Sequence, residues 1–130
     1  MREQKNIFKI LLVEDDEITN YLTIKRLKNL GFENIDTAEN GLLAVHYLEK
    51  SCPNLIILDL NMPVMDGFEF LDYKDKHNLC PNLPIIVLTS SGRPSDREKA
   101  IAHENVVDYL EKPMNYEKIQ HMLLKIRETA

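Results

Sequence analysis

Leu55-Ile56-Ile57-Leu58-Asp59-Leu60-Asn61-Met62-Pro63-Val64-Met65-Asp66-Gly67 passes from a continuous apolar run to a polar loop that closes on glycine. Four apolar residues in a row, with no polar alternation, predict a strand covered on both faces. Strands of that kind belong to parallel sheets packed between helices, so the run points to a fold class as well as an element. A helical stretch from about Phe68 to His77 follows the loop and fits a crossover connection.

The same unit recurs in both directions. Upstream, Phe8 to Val13 reads as a buried strand bounded sharply by Glu14-Asp15-Asp16. A helix from about Glu17 to Leu30 follows, stopped by Gly31 in the left-handed C-terminal position. Its Ile18 and Leu22 have two readings, a face for a kinase helix or the domain's own core, and their apolar character favours the core. Asn34 to Ala38 is a weaker strand, and Asn40-Gly41 opens a second helix with Ala44, Val45 and Leu48 at helical spacing before Pro53. Downstream, Ile85 to Leu88 is the fourth strand, ending at Thr89-Ser90-Ser91-Gly92. Ser95-Asp96-Arg97-Glu98 has capping-box spacing and is expected to start the fourth helix. Val106 to Leu110 is a fifth strand, and Asn115 caps a last helix with Ile119, Met122, Leu123 and Ile126 on one face. Five such units predict an α/β fold, a flavodoxin-like (βα)5 doubly wound parallel sheet of strand order 2-1-3-4-5. The expectation is a single domain over residues 1–130, with a core from about 8 to 127 and no output domain.

Composition narrows the function classes. The chain of 130 residues is 44% hydrophobic and 28% charged, which suits a globular domain with a real core. Its net charge of -5, from 21 acids and 16 bases, argues against non-specific nucleic-acid binding. No apolar run approaches the ~20 residues needed to cross a bilayer. Met1-Arg2-Glu3-Gln4-Lys5-Asn6 is too polar for a secretory signal, so a cytoplasmic location without membrane attachment is expected. Cys52 and Cys80 fit neither a disulfide framework nor a paired-cysteine zinc site and are read as free thiols. His46, His77, His103 and His121 lack metal-ligand spacing.

The chemistry gathers at the strand ends, where open sheets of this class bind ligands. Glu14 and Asp15 follow the first strand, Asp59 the third, Thr89 the fourth and Lys112 the fifth. Neighbouring strands lie about 4.8 Å apart, so three carboxylates converge in one crevice. They repel by ~1 kcal/mol per pair at 4 Å in water, and by several-fold more at lower dielectric. A compensating cation follows, and an all-oxygen donor set favours a hard ion such as Mg2+, for which Mn2+ could substitute. A carboxylate nucleophile, a metal, a hydroxyl and an ammonium are the parts that phosphoryl transfer needs. Asp59 is the natural nucleophile, because it alone ends a central, fully apolar strand.

Four segments carry a family resemblance: Ile10-Leu-Leu-Val-Glu14-Asp15-Asp16, Leu58-Asp59-Leu60-Asn61-Met62-Pro63-Val64-Met65-Asp66-Gly67, Val87-Leu88-Thr89-Ser90 and Tyr109-Leu110-Glu111-Lys112-Pro113. From about Phe8 to Arg127 the chain resembles the receiver domain of bacterial two-component response regulators, in particular the single-domain, chemotaxis-type receivers. The resemblance implies that Asp59 is the phosphoacceptor. It implies that Asp15, Asp59 and the backbone carbonyl of Asn61 hold Mg2+, with Glu14 acting directly or through water. Thr89 and Lys112 then bind the phosphoryl group, Ser90 is small enough to leave the site open, and the Tyr109 ring turns inward as the Thr89 hydroxyl moves. A cis peptide bond before Pro113 aims Lys112, and Gly67 supplies a loop conformation that other residues resist. Asn61 and Ser91 flank the path of an attacking water.

The implied partners are a histidine kinase, a histidine phosphotransfer protein or both, and a downstream protein contacted through the fourth helix, fifth strand and last helix. Direct nucleic-acid contact is not implied, and the chain is a monomer or a phosphorylation-linked dimer. It is expected not to be an enzyme, catalysing only its own phosphorylation and dephosphorylation. Three alternatives share parts of this kit. A haloacid-dehalogenase-type phosphohydrolase needs an aspartate two residues after the nucleophile, where Asn61 stands. A flavodoxin-type carrier needs a phosphate-cradling first loop, which Glu14-Asp15-Asp16 would oppose. An unphosphorylated interaction module shares the fold alone.

Overall fold

The structure is a computed structural model that describes residues 7–129, so the polar Met1–Asn6 segment lies outside the described residues. Ten elements alternate along the chain: β1 (Lys9–Val13), α1 (Glu17–Asn29), β2 (Asn34–Ala38), α2 (Gly41–Lys50), β3 (Leu55–Leu58), α3 (Gly67–Lys76), β4 (Ile85–Thr89), α4 (Pro94–Ile101), β5 (Val106–Glu111) and α5 (Tyr116–Thr129). The strands form one parallel sheet in the order β2-β1-β3-β4-β5. The expected flavodoxin-like topology is the observed one.

The continuous apolar runs have the cause expected of them, because successive residues point to opposite faces and both faces are covered. On one side, Leu11, Val13, Ile56, Leu58, Ile85 and Val87 pack with Ala44, Val45 and Leu48 of α2, Phe70 and Leu71 of α3 and Ala100 of α4. On the other, Ile10, Leu12, Leu55, Ile57, Ile86 and Leu88 pack with Leu27 of α1 and Ile119 and Leu123 of α5. Each fully buried Leu or Ile stabilises the fold by about 1.5–3 kcal/mol relative to exposure.

The helix ends follow local chemistry. Asn40 caps α2 by accepting from the Leu43 N–H at 2.9 Å, and Asn115 caps α5 through the Lys118 N–H at 2.9 Å. Gly31 adopts φ 97°, the left-handed value expected after α1. Helix α4 departs from expectation: it starts at Pro94, and Arg93 occupies the cap position with no side-chain cap bond. Proline fits the first helical turn, where its missing N–H costs nothing.

Two further expectations fail. Ile18 and Leu22 are 71% and 50% exposed rather than buried. The inward stripe of α1 is Thr23 and Leu27, flanked by Ile24 and Leu30. Cys52 and Cys80 are not free thiols but form a disulfide, with their Cα atoms 5.8 Å apart. The connections after α2 and α3 lead into the adjacent strands β3 and β4, which brings together two cysteines separated by 28 positions in sequence.

Candidate acidic site at the carboxyl ends of the strands

Register sets the site. Val13 pairs with Leu58, so Glu14 and Asp59 leave adjacent strands at the same level, and the Asp59 N–H donates to the Val13 carbonyl at 2.9 Å. Thr89 pairs with Glu111, and the Lys112 N–H donates to the Thr89 carbonyl at 2.8 Å, which carries lysine to the same edge. Carboxylate oxygens of Glu14, Asp15 and Asp59 all lie within 4.8 Å of one another. Glu14 and Asp59 are buried and Asp15 is exposed, so the cluster has dry walls and one wet side.

Lys112 Nζ forms an ion pair with Glu14 Oε1 and lies 3.7 Å from Asp59 Oδ2. Burial pushes the Glu14 carboxyl above its ordinary range, as does the charge of Asp59, while the Lys112 hydrogen bond opposes them. Burial would lower the Lys112 ammonium, but its hydrogen bond to Glu14 and the charges of Asp59 and Glu14 outweigh that and hold it above its usual value. Asp59, 5% exposed, keeps Oδ1 buried and without a hydrogen-bond partner among the described residues. A buried carboxylate oxygen lacking a donor is costly, and a hard cation is the partner that an all-oxygen cluster of this kind suits. The donor set therefore fits Mg2+.

The other expected residues fall around this centre. Thr89 is fully buried, and its Oγ1 accepts from the Ser91 N–H at 3.3 Å. The Tyr109 ring is buried, and its hydroxyl donates to the Ser91 carbonyl at 3.0 Å, so the ring already stands inward. Asn61 and Ser90 lie at the surface beside Asp59 and Thr89 in sequence. The Lys112–Pro113 peptide bond is cis, as expected. Gly67 has no left-handed φ; what it supplies is space, since a Cβ there would stand 2.6 Å from the Asp59 carbonyl oxygen and 2.8 Å from Leu60 Cα. That corrects the conformational reason expected for it.

Three contributions to the site go beyond the roles read from the sequence. Asp66 and Glu69 form a reciprocal capping box that starts α3 beside the Asp59 loop. Their acid-x-x-Glu spacing was the readable signal. Asn20 Nδ2 donates to the Glu14 carbonyl at 3.0 Å and braces that turn, with nothing in the sequence to announce it. Ser91, expected only beside a water path, instead ties Thr89, Tyr109 and Asp96 together, its hydroxyl donating to Asp96 Oδ2 at 2.6 Å.

Comparison with known proteins identifies the family. The family model described as "Response regulator receiver domain" matches residues 10–124, and the chain belongs to that family. It is thus a receiver domain of two-component signalling, a class defined by phosphoacceptor switching rather than by turnover of substrates. The two-component response regulator ORR41 of Oryza sativa subsp. japonica is 32% identical over 126 residues, covering 95% of this chain and 97% of that one. The sensor protein EvgS of Escherichia coli is 38% identical over 92 residues, which are 71% of this chain and 8% of that one. Among solved structures, the receiver domain of sensor histidine kinase PA1611 from Pseudomonas aeruginosa superposes with a TM-score of 0.81 at 28% identity, covering 92% of this chain and 97% of that one. That crystal structure has a magnesium ion coordinated in its active-site cleft.

Proposed function

We propose that Asp59 accepts a phosphoryl group from a histidine kinase or histidine phosphotransfer protein and that the chain signals by the rearrangement that follows. The observation that carries this reading is the Oδ1 of Asp59, which has no hydrogen-bond partner among the described residues and lies in a cluster of three carboxylates beside Lys112. A carboxylate oxygen of Asp59 attacks phosphorus in line, a P–O bond forms, and the P–N bond to the donor imidazole breaks. Glu14, Asp15, Asp59 and the Asn61 carbonyl would hold Mg2+, which when bound neutralises charge on the phosphoryl oxygens. Lys112, already between Glu14 and Asp59, needs only a small shift to reach the new oxygens. The product carries roughly one more negative charge than the carboxylate, together with new acceptor oxygens.

Thr89 and Tyr109 link that charge to the surface. Drawing the Thr89 hydroxyl toward the phosphoryl group loosens its hold on the Ser91 N–H, while the Tyr109 hydroxyl keeps the Ser91 carbonyl. Arg97 of α4 reaches the Tyr109 carbonyl at 3.4 Å and lies over the Tyr109 ring, so α4 and β5 sense the same loop. Such a switch has pre-existing states, and phosphorylation biases them by stabilising one more than the other.

The donor is expected to dock on α1. Ile18, Tyr21 and Leu22 form an exposed apolar face, Tyr21 being 64% exposed, and Leu22 borders a cleft of about 400 Å³ that includes Lys112 and Met114. A helix laid there would bring its histidine to the mouth of the acidic site. Intact-mass spectrometry after incubation with acetyl phosphate tests the acceptor. The wild type should gain one phosphoryl group only with Mg2+, and Asp59→Asn should gain none; equal labelling of that variant would end the assignment.

A further inference from the structure

Parallel strands enter the sheet at the edge opposite Asp59, and two of those entries are joined covalently. Cys52 lies in the connection from α2 to β3 and Cys80 in the connection from α3 to β4. The two halves of the bond differ in access: Cys52 is exposed, whereas Cys80 is only 9% exposed. Both line an open cleft of about 570 Å³ with Pro53, Pro81, Val107 and Ile126, so a thiol can approach from solvent. Exposed disulfides are the ones that exchange, because the attacking thiolate must reach a sulfur.

The two halves also differ in what else holds them. Before β3, the Asn54 N–H donates to the Lys9 carbonyl at 2.8 Å and the Lys9 N–H to Asn54 Oδ1 at 2.8 Å, which anchors that entry to β1 without the disulfide. Before β4, Asn78 and Cys80 stand at φ 53° and 46°, left-handed values that residues with a Cβ resist. Asparagine tolerates that region, so Cys80 is the strained one of the two. Such a conformation persists where the surroundings impose it, and at Cys80 the disulfide is the covalent constraint. The reduced state has a partner in place, since the Leu48 carbonyl lies 3.9 Å from Cys80 Sγ, within reach of a thiol donor.

We propose that Cys52–Cys80 is a reversible redox site, opened by a dithiol reductant, whose opening frees the connection between α3 and β4. A thiolate of the reductant attacks Cys52 Sγ and forms a mixed disulfide. The Cys52–Cys80 bond breaks, its electron pair leaves on Cys80, and that sulfur takes up a proton. The second thiolate of the reductant then attacks the first reductant sulfur, closes the reductant's own disulfide and releases Cys52, which is protonated in turn. The reductant loses two electrons and two protons, and the cysteine pair gains them. Cys80 then relaxes from its left-handed conformation, while Asn54 keeps its clasp on Lys9. No metal and no phosphoryl group takes part, so the site is separate from Asp59.

Trapping with iodoacetamide, read by peptide mass spectrometry, tests the chemistry. Neither cysteine should be alkylated in the untreated protein, and both should be after dithiothreitol without denaturant. The monothiol glutathione should be found on Cys52 and not on Cys80. Amide hydrogen exchange tests the consequence: on reduction, Leu79 and Leu83, whose N–H groups bond to the Lys74 and Cys80 carbonyls, should exchange roughly tenfold faster, with Asn54 unchanged. Cys52→Ser should exchange like the reduced wild type and ignore dithiothreitol. Alkylation of both cysteines with no reductant, reduction only in denaturant, or an exchange pattern that reduction leaves alone would each overturn the proposal. The wild-type readouts suffice should Cys52→Ser fail to fold.

Discussion

Gly67 and Asp36 show how single side chains set this molecule's tolerances. At Gly67 even a methyl group meets backbone atoms of Asp59 and Leu60, which cannot swing aside as a side chain can. Gly67→Ala should therefore cost about 1–3 kcal/mol in denaturant unfolding and slow labelling of Asp59 by displacing its loop. Asp36 accepts from the Tyr47 hydroxyl at 2.6 Å and pairs with Lys9 Nζ at 3.4 Å. The Tyr47 hydrogen bond and the Lys9 charge hold its carboxyl below the ordinary value of 3.8. A depressed carboxyl stabilises the fold above its unfolded value and loses that contribution as pH falls through the folded one. Tyr47→Phe should remove most of the stability gained between pH 3 and neutrality by this group. At so exposed a pair the loss is below about 1 kcal/mol, read from unfolding free energies across that range.

Helix α1 separates what the chain spells out from what it leaves open. The buried strands were legible because two covered faces produce uninterrupted apolar runs such as Leu55–Leu58, which no alternating pattern imitates. In α1, Ile18, Leu22, Ile24 and Leu27 offer two overlapping stripes, and periodicity alone cannot say which one the sheet takes. The sheet takes the stripe of Thr23 and Leu27 and leaves Ile18 and Leu22 in solvent. Ile18→Asp with Leu22→Asp should then leave stability within about 0.5 kcal/mol and acetyl phosphate labelling intact. Transfer from a histidine phosphodonor protein should fall at least tenfold in a stopped-time assay, whereas unfolding of the variant would return those residues to the core. The start of α3 gives the opposite case: its capping box stood open to reading in Asp66 and Glu69, and Asp66→Ala should cost about 1 kcal/mol.

Across the entire domain, parallel topology sorts function by edge. Every strand delivers its following loop to one edge, which gathers Glu14, Asp59, Thr89 and Lys112 from four strands. That gathering was legible, since strand order and strand ends suffice to predict it. The opposite edge was not. The Cys52–Cys80 bond and the buried Lys74 depend on how helix-to-strand connections meet, and such meetings leave no mark in spacing. Lys74 sits where an apolar residue would satisfy the core, so only burial reveals it. The acidic edge still carries the central claim, that one carboxylate in the cluster is free to be modified. Borohydride reduction of the protein after incubation with acetyl phosphate and Mg2+ converts an aspartyl phosphate to homoserine, which peptide sequencing locates. Homoserine at position 59 alone is the predicted result; homoserine at 14, 15 or 66 with aspartate intact at 59 would contradict it.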